Sequence, residues 1–283
     1  MSALVLSSTQ LMVLSSVGAV NGLNPQDIRV FREPAVYLVG RQMIEPAEVD
    51  RFLSDHGVSW QTDTEVAGEH LAEIAGRLCY MSFARPRPGG NKAYLDHILE
   101  VGHGSVLEHA VWNFVFTGVS RSLTHELVRH RHFSYSQLSQ RYVDESVAEY
   151  VEPDVIAADP ELHALWLEAV GHAHRAYVRL VEKLAERFAD EPDRTARRKL
   201  ARQAARSVLP NATETKIFVT ANARALRHFI EMRASQHAEV EIRKLAVKVL
   251  EVMKTEAPHL FTDYQLVPLP DGTFEVSTPH RKV

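Results

Sequence analysis

Apolar positions fall into regular patterns from Glu65 onward. Over 66–80, Leu71, Ile74, Ala75, Leu78 and Cys79 recur at helical spacing and predict a helix with that stripe packed inward. The run RPRPGG at 85–90 breaks the chain, and Asn91 stands where a cap belongs for a helix carrying Tyr94, Leu95, Ile98 and Leu99. Ser105 and Glu108 have capping-box spacing in a segment too short to assign. AVWNFVFTGVS at 110–120 is aromatic and β-branched and predicts a buried strand, and 121–131 reads as a helix with Ser120 as its cap.

Asp159-Pro160 is a helix start, and Trp166, Val170, Ala173, Tyr177, Leu180, Leu184 and Phe188 keep helical spacing behind it. A second helix over 193–208 sets Arg198, Arg202 and Arg206 on one face and stops at Leu209-Pro210-Asn211. A strand at 216–222, helices at 223–232 and 237–255, and a hairpin-like tail around Asp271-Gly272 complete the pattern. Residues 21–63 alternate weakly, with one short strand at 35–40. The reading is a mixed α/β (α+β) protein: an N-terminal extension and lead-in over 1–60, then a single domain over 61–283 that includes the long helices at about 160–208.

Charge narrows the function. A formal net charge of −4 disfavours a general nucleic-acid coat, while leaving room for a local basic site. No apolar run approaches the roughly 18 residues of a spanning helix, and residues 1–20 lack a basic leader, so neither membrane nor secretion is expected. A single cysteine permits no intrachain disulfide and fits a reducing cytoplasm.

The densest chemistry is RHRHFSYSQLSQRY at 129–142, which holds three arginines, two histidines, three serines and two glutamines without an acid. Leu123, Leu127 and Val128 lie at helical spacing just before it. Guanidinium forks, imidazoles, hydroxyls and amides suit a ligand rich in phosphate and carbonyl oxygen. Glycine-rich phosphate loops and the GxSxG elbow are absent from the sequence. Cys79, on the apolar side of its helix, reads as a buried small hydrophobe. No metal is expected: His130 and His132 flank the charged Arg131, and no HExxH or cysteine-rich set occurs. His172 and His174 read as surface residues. Phosphate must therefore meet arginines and serines, at Ser82/Arg85/Arg87, at 129–141 and at 198–206; the basic face over 194–206 can equally be solvated. In 222–243, Asn222, Arg224, His228 and Arg233 are the polar set, while Leu226, Phe229, Ile230 and Met232 take the packed faces. A surface bridge from Arg233 to Glu231 or Glu239 is the plain alternative. A nucleic-acid-binding module is the competing class; steeply salt-dependent binding without nucleotide turnover would favour it.

Arg129-His130-Arg131, seven residues and then Ser139 resemble the RHR-x7-S signature of the flavin-dependent thymidylate synthases, extended here by Ser134, Gln140, Arg141 and Tyr142. The resemblance runs over about 64–265 and includes GHGSVLEH at 102–109, ARSVLPNATET at 205–215 and NARALRHFIEMRASQHAEVEIR at 222–243. It implies that family's fold, a central mixed or antiparallel sheet flanked by helices with a long helical segment, so that 61–283 is the catalytic domain. It implies a methyltransferase that converts dUMP to dTMP, with FAD as hydride carrier and NADPH and 5,10-methylenetetrahydrofolate as co-substrates. A homotetramer with active sites at subunit junctions is implied as well, with no nucleic-acid or membrane partner.

Carried over on the matching motifs, the dUMP site is Glu126, Arg129, Gln137, Ser139, Arg141, Arg206 and Arg233. Arg206 and the backbone near Ser139 would meet phosphate, and Arg233 a pyrimidine carbonyl. Arg233 and Ser139 are the catalytic candidates, with Ser139 read as a hydrogen-bond donor rather than a nucleophile. The flavin and folate surroundings are Ser82, His103, Ser105, Glu108, Arg129, His130, Arg131, Gln137, Asn222, Arg224, His228 and His237. Gln137 stands where many members have Glu, and His228 where many have Asn; Gln137 cannot serve as a base.

Overall fold

The computed structural model describes residues 28–85 and 88–283. The expectations for 1–20 and for Arg87 lie outside the described residues. The chain divides into two compact units, one built from 32–138 and 214–283, the other from 139–213 with residues 28–31.

In the first unit the elements are β2 (Ala35–Arg41), α1 (Pro46–Asp55), α2 (Ala67–Leu78), α3 (Gly90–Glu100), α4 (Gly104–Leu107), β3 (Val111–Ser120), α5 (Arg121–Leu127) and β4 (Ser134–Gln137). After the excursion into the second unit follow β6 (Glu214–Asn222), α9 (Ala223–Arg233), α10 (Val240–Glu256), α11 (Pro258–Phe261), β7 (Gln265–Pro268) and β8 (Phe274–Ser277). The sheet runs β2-β3-β6-β4, every neighbour antiparallel. Leu38, Phe114, Val219 and Tyr135 lie in one register row across it. Trp112, Phe114 and Phe116 point inward from β3, and Ile242, Leu245, Ala246, Val249, Leu250 and Met253 of α10 are all buried in the same core. Burying such apolar area is what holds the sheet to its helices. The tail forms the expected hairpin, β7 against β8.

The other unit holds β1 (Ile28–Phe31) paired in parallel with β5 (Ala148–Val151), then α6 (Asp154–Ala157), α7 (Pro160–Arg187) and α8 (Arg194–Ala205). Asp159 caps α7 through Glu161 N (2.8 Å) and Leu162 N (3.2 Å), with Pro160 in the first turn. Its stripe buries Val170 and Tyr177 but has reached the surface by Leu180. Arg206 opens a short 3-10 turn that ends α8 ahead of Pro210.

Several expectations are corrected. α2 forms, but turned: Gly68, Glu69, Ala72, Glu73, Gly76 and Arg77 are buried, while Leu78 is exposed. The glycines are the reason. A Cβ at Gly68 would stand 2.6 Å from the Trp112 ring and one at Gly76 2.3 Å from the Tyr94 hydroxyl, so only this face lets α2 approach. Cys79 caps the end of that helix and is exposed, not buried. Asn91 is not a cap. Gly89, at φ +94°, begins α3, and Asn91 turns inward to Glu73 Oε2 (2.7 Å) and His259 Nδ1 (2.8 Å). Ser105 and Glu108 make no side-chain capping box. His174 is buried between the Tyr150 hydroxyl (3.2 Å) and the Ser146 carbonyl (3.0 Å), whereas His172 is exposed as expected. Met232, expected to pack, is half exposed, and Val128 is exposed too. No helix among the described residues is long and apolar enough to cross a membrane.

Candidate active site

The helix expected through 131 stops at Leu127, which releases the signature into a turn. Ser120 caps α5 by accepting from Leu123 N (2.9 Å), and Glu241 holds Ser120 through its N and Oγ, both at 2.7 Å. Beyond α5, the Tyr135 hydroxyl donates to Leu127 O (2.6 Å) and shares a contact with His130 O (3.0 Å). That pin, with buried Phe133, drives His130 inward and leaves Arg129, Arg131 and His132 exposed. From the opposite side comes α9, capped by the Asn222 side chain accepting from Ala225 N (2.8 Å). Its Ala223, Ala225, Leu226, Phe229 and Ile230 are buried, so Arg224, His228 and Met232 share the open face.

Between them lies a cavity of about 280 Å³, lined by Arg129, His130, Arg131, His132, Phe133, Ala225, His228, Met232 and Arg233. No carboxylate lines it. Arg233 is fixed from two directions: Nη1 donates to Glu126 Oε2 (2.5 Å) and Nε to His130 Nε2 (3.0 Å). The partner expected on plain grounds, Glu231 or Glu239, is therefore not the one it takes. His130 must present a lone pair to that N–H, and its surroundings agree. Burial, reinforced by the charges of Arg233 and His228, lowers its pKa to about 4. Phe133 stacks on the ring at 5.8 Å and Phe229 meets its edge at 5.1 Å. The imidazole is thus neutral at pH 7, an acceptor rather than a cation. A second carboxyl follows Glu126: Glu239, raised to about 7 by its hydrogen bond with Glu126, by burial and by the charges of Glu126 and Glu241.

The other expected residues fall in several places. Gln137, on β4, spends its amide on Thr124 Oγ1 (3.1 Å) and Thr215 Oγ1 (3.4 Å). Arg224 pairs with Glu108 at 2.5 Å, with exposed His103 and Ser105 on the same α4 segment. Ser82 sits in the turn after α2, and His237 is exposed in the loop before α10. Ser139, Arg141 and Arg206 belong to the second unit. There Arg141 N donates to Ser139 Oγ (3.4 Å), and Lys199 lies 5.0 Å from the Tyr142 ring. Arg202 grips the Tyr142 carbonyl and Asp144, both at 2.7 Å, so the basic face of α8 is not merely solvated.

His132, Phe133, Ala225 and Met232 were not named as site residues, and Glu239 appeared only as a bridge partner. Phe133, Ala225 and Met232 are apolar and Glu239 stands at the N-cap of α10, characters that carry no chemical signal in a linear reading; the HFS run beside RHR points to His132 and Phe133. Among the described residues no group of three or more His, Cys, Asp or Glu can hold a metal ion.

The family model described as "Thymidylate synthase complementing protein" matches residues 62–259. A flavin-dependent thymidylate synthase of Mycolicibacterium vanbaalenii is 53% identical over 230 residues, covering 81% of this chain and 92% of that one. One from Mycobacterium tuberculosis is also 53% identical over the same span. Among solved structures, the UMP/dUMP methylase PolB of Streptomyces cacaoi, bound with 5-Br dUMP, shares the fold at a TM-score of 0.59 and 19% identity, over 83% of this chain and 96% of that one. The chain belongs to the thymidylate synthase complementing protein family, that of the flavin-dependent thymidylate synthases.

Proposed function

We propose that the protein methylates dUMP at uracil C5 to give dTMP, using 5,10-methylenetetrahydrofolate as one-carbon donor, FAD as hydride carrier and NADPH as reductant. The observation that carries this reading is Arg233, aimed into the cavity and braced by Glu126 and His130. Uracil C5 is a weak nucleophile. A guanidinium at O2 or O4 stabilises the enolate-like charge that builds as C5 attacks the one-carbon unit, and a pre-fixed one costs no reorganisation at that moment.

The residues present fit a flavin dinucleotide. Arg129 and Arg131 have no ion-pair partner among the described residues, which leaves two forks for pyrophosphate, while Phe133, Ala225 and Met232 offer apolar contact to a ring. Bound FAD would supply the hydride that completes the methyl group. His130, Arg131, His228 and Arg129 would hold it, together with Ser82, Asn222, Arg224 and the His103–Glu108 segment; His237 and Gln137 complete the set. The protein works as a homotetramer whose subunits complete one another's sites, with Ser139, Arg141 and Arg206 meeting the nucleotide and its phosphate. Ser139 acts as a hydrogen-bond donor to the nucleotide: its Oγ accepts from the Arg141 amide, which leaves the hydroxyl proton to give, and no imidazole or carboxylate bonds it among the described residues. The catalytic domain runs over 61–283, with β2 lent to its sheet from the lead-in, and the enzyme works in the cytoplasm.

Purified protein should absorb near about 450 nm, bleach with NADPH, and turn dUMP into dTMP only with methylene-folate present. Protein that takes up no FAD ends the reading.

A further inference from the structure

Arg77 is buried, with its side chain only 3% exposed, in a helix whose inward face is polar. Its ring of partners is complete. Nε and Nη2 donate to Glu73 Oε1 at 2.8 and 2.6 Å, and Glu73 is itself held by Thr62 Oγ1 (2.9 Å) and Asn91 Nδ2 (2.7 Å). Trp60 and Tyr94 flank the guanidinium carbon at 5.3 and 4.7 Å from their ring centroids. The remaining nitrogen, Nη1, reaches out of the network to Ser82 O (3.1 Å) and Arg85 O (3.4 Å). The Arg77 carbonyl grips the same turn, accepting from Tyr80 N (3.2 Å) and Ser82 N (3.0 Å). Inside that turn Met81 holds φ +44°, a left-handed conformation that a non-glycine residue keeps only under constraint.

Stability alone does not explain a guanidinium here, because a buried ion pair roughly breaks even against well-packed apolar residues. What only a planar fork provides is simultaneous contact with a carboxylate behind it and two backbone carbonyls in front. We propose that Arg77 is a positioning residue for the flavin: it clamps the Ser82–Arg85 turn in the shape that presents Ser82 to the cofactor. The proposal rests on the reading above that Ser82 faces the flavin.

The test uses holoenzyme, with FAD release followed by the recovery of flavin fluorescence on dilution. Arg77→Lys keeps the charge and loses the fork; the dissociation constant for FAD should rise about tenfold, while KM for dUMP at saturating FAD stays put. A purely structural role predicts a lower urea midpoint with unchanged FAD affinity, and that result overturns the proposal. Ser82→Ala separates the two layers. If it weakens FAD and Arg77→Lys does not, the clamp is wrong; if neither matters, Ser82 does not face the flavin and both fall. Should Arg77→Lys fail to fold, Tyr94→Leu removes one wall of the guanidinium, and it must weaken FAD in the same direction or the proposal is overturned.

Discussion

Replacing His130 with Phe keeps an aromatic ring between Phe133 and Phe229 but deletes the imidazole they enclose. His130 has its pKa lowered from 6.5 to about 4, chiefly by burial and then by Arg233 and His228. Between those values the unfolded chain binds a proton that the folded protein refuses, so His130 lowers stability as pH falls from above 6.5 toward 4. Going from about pH 7.5 to about 4.5, the shift amounts to roughly 2.5 kcal/mol. Glu239 works the other way. Its raised pKa, about 7 against 4.5, adds stability at low pH that is lost as pH rises through 7, and its exposure makes this the smaller effect. The two oppose each other in wild type, so the single variant reveals His130. Urea unfolding of wild type and His130→Phe, at one protein concentration across this range, should show the variant gaining on wild type by roughly 2.5 kcal/mol toward acid. A difference between the two proteins that does not change with pH would refute the neutral, proton-refusing imidazole.

Arg233→Ala should abolish turnover while FAD stays bound, since the lost group stabilises charge on the pyrimidine; an unchanged kcat with dUMP rules that role out. Ser139→Ala should retain measurable dTMP formation, and complete loss with dUMP binding intact would instead point to covalent attack. Arg227→Ala strands Asp263, whose carboxylate Arg227 grips at 2.7 and 2.8 Å from a fully buried position. It should cost about 3–5 kcal/mol in urea unfolding, and a loss under about 1 kcal/mol would show that the pair contributes little.

The elements read from periodicity were mostly the ones that form. Ser120, Asp159 and Asn222 cap helices, and β3 and β6 run where aromatic and β-branched residues cluster. α1 was missed because its ten residues offer few apolar positions, and β4 because the signature reads as chemistry rather than alternation. The candidate site was legible as a set of residue types. Its geometry was not: the contact that orients Arg233 spans 103 positions, and nothing local to RHRH announces it.

The sequence by itself determined most of the elements and the starts of α5, α7 and α9, because caps and side-chain period act within a few residues. It also determined the family, through a motif set too specific to arise piecemeal. The tertiary structure alone decided which face of α2 turns inward, that Cys79 is exposed and His174 buried, and that His130 is neutral. Those outcomes follow from close approach, such as Tyr94 against Gly76, and from burial together with the charge of a group distant in sequence, such as Arg233 beside His130, which no local spacing encodes.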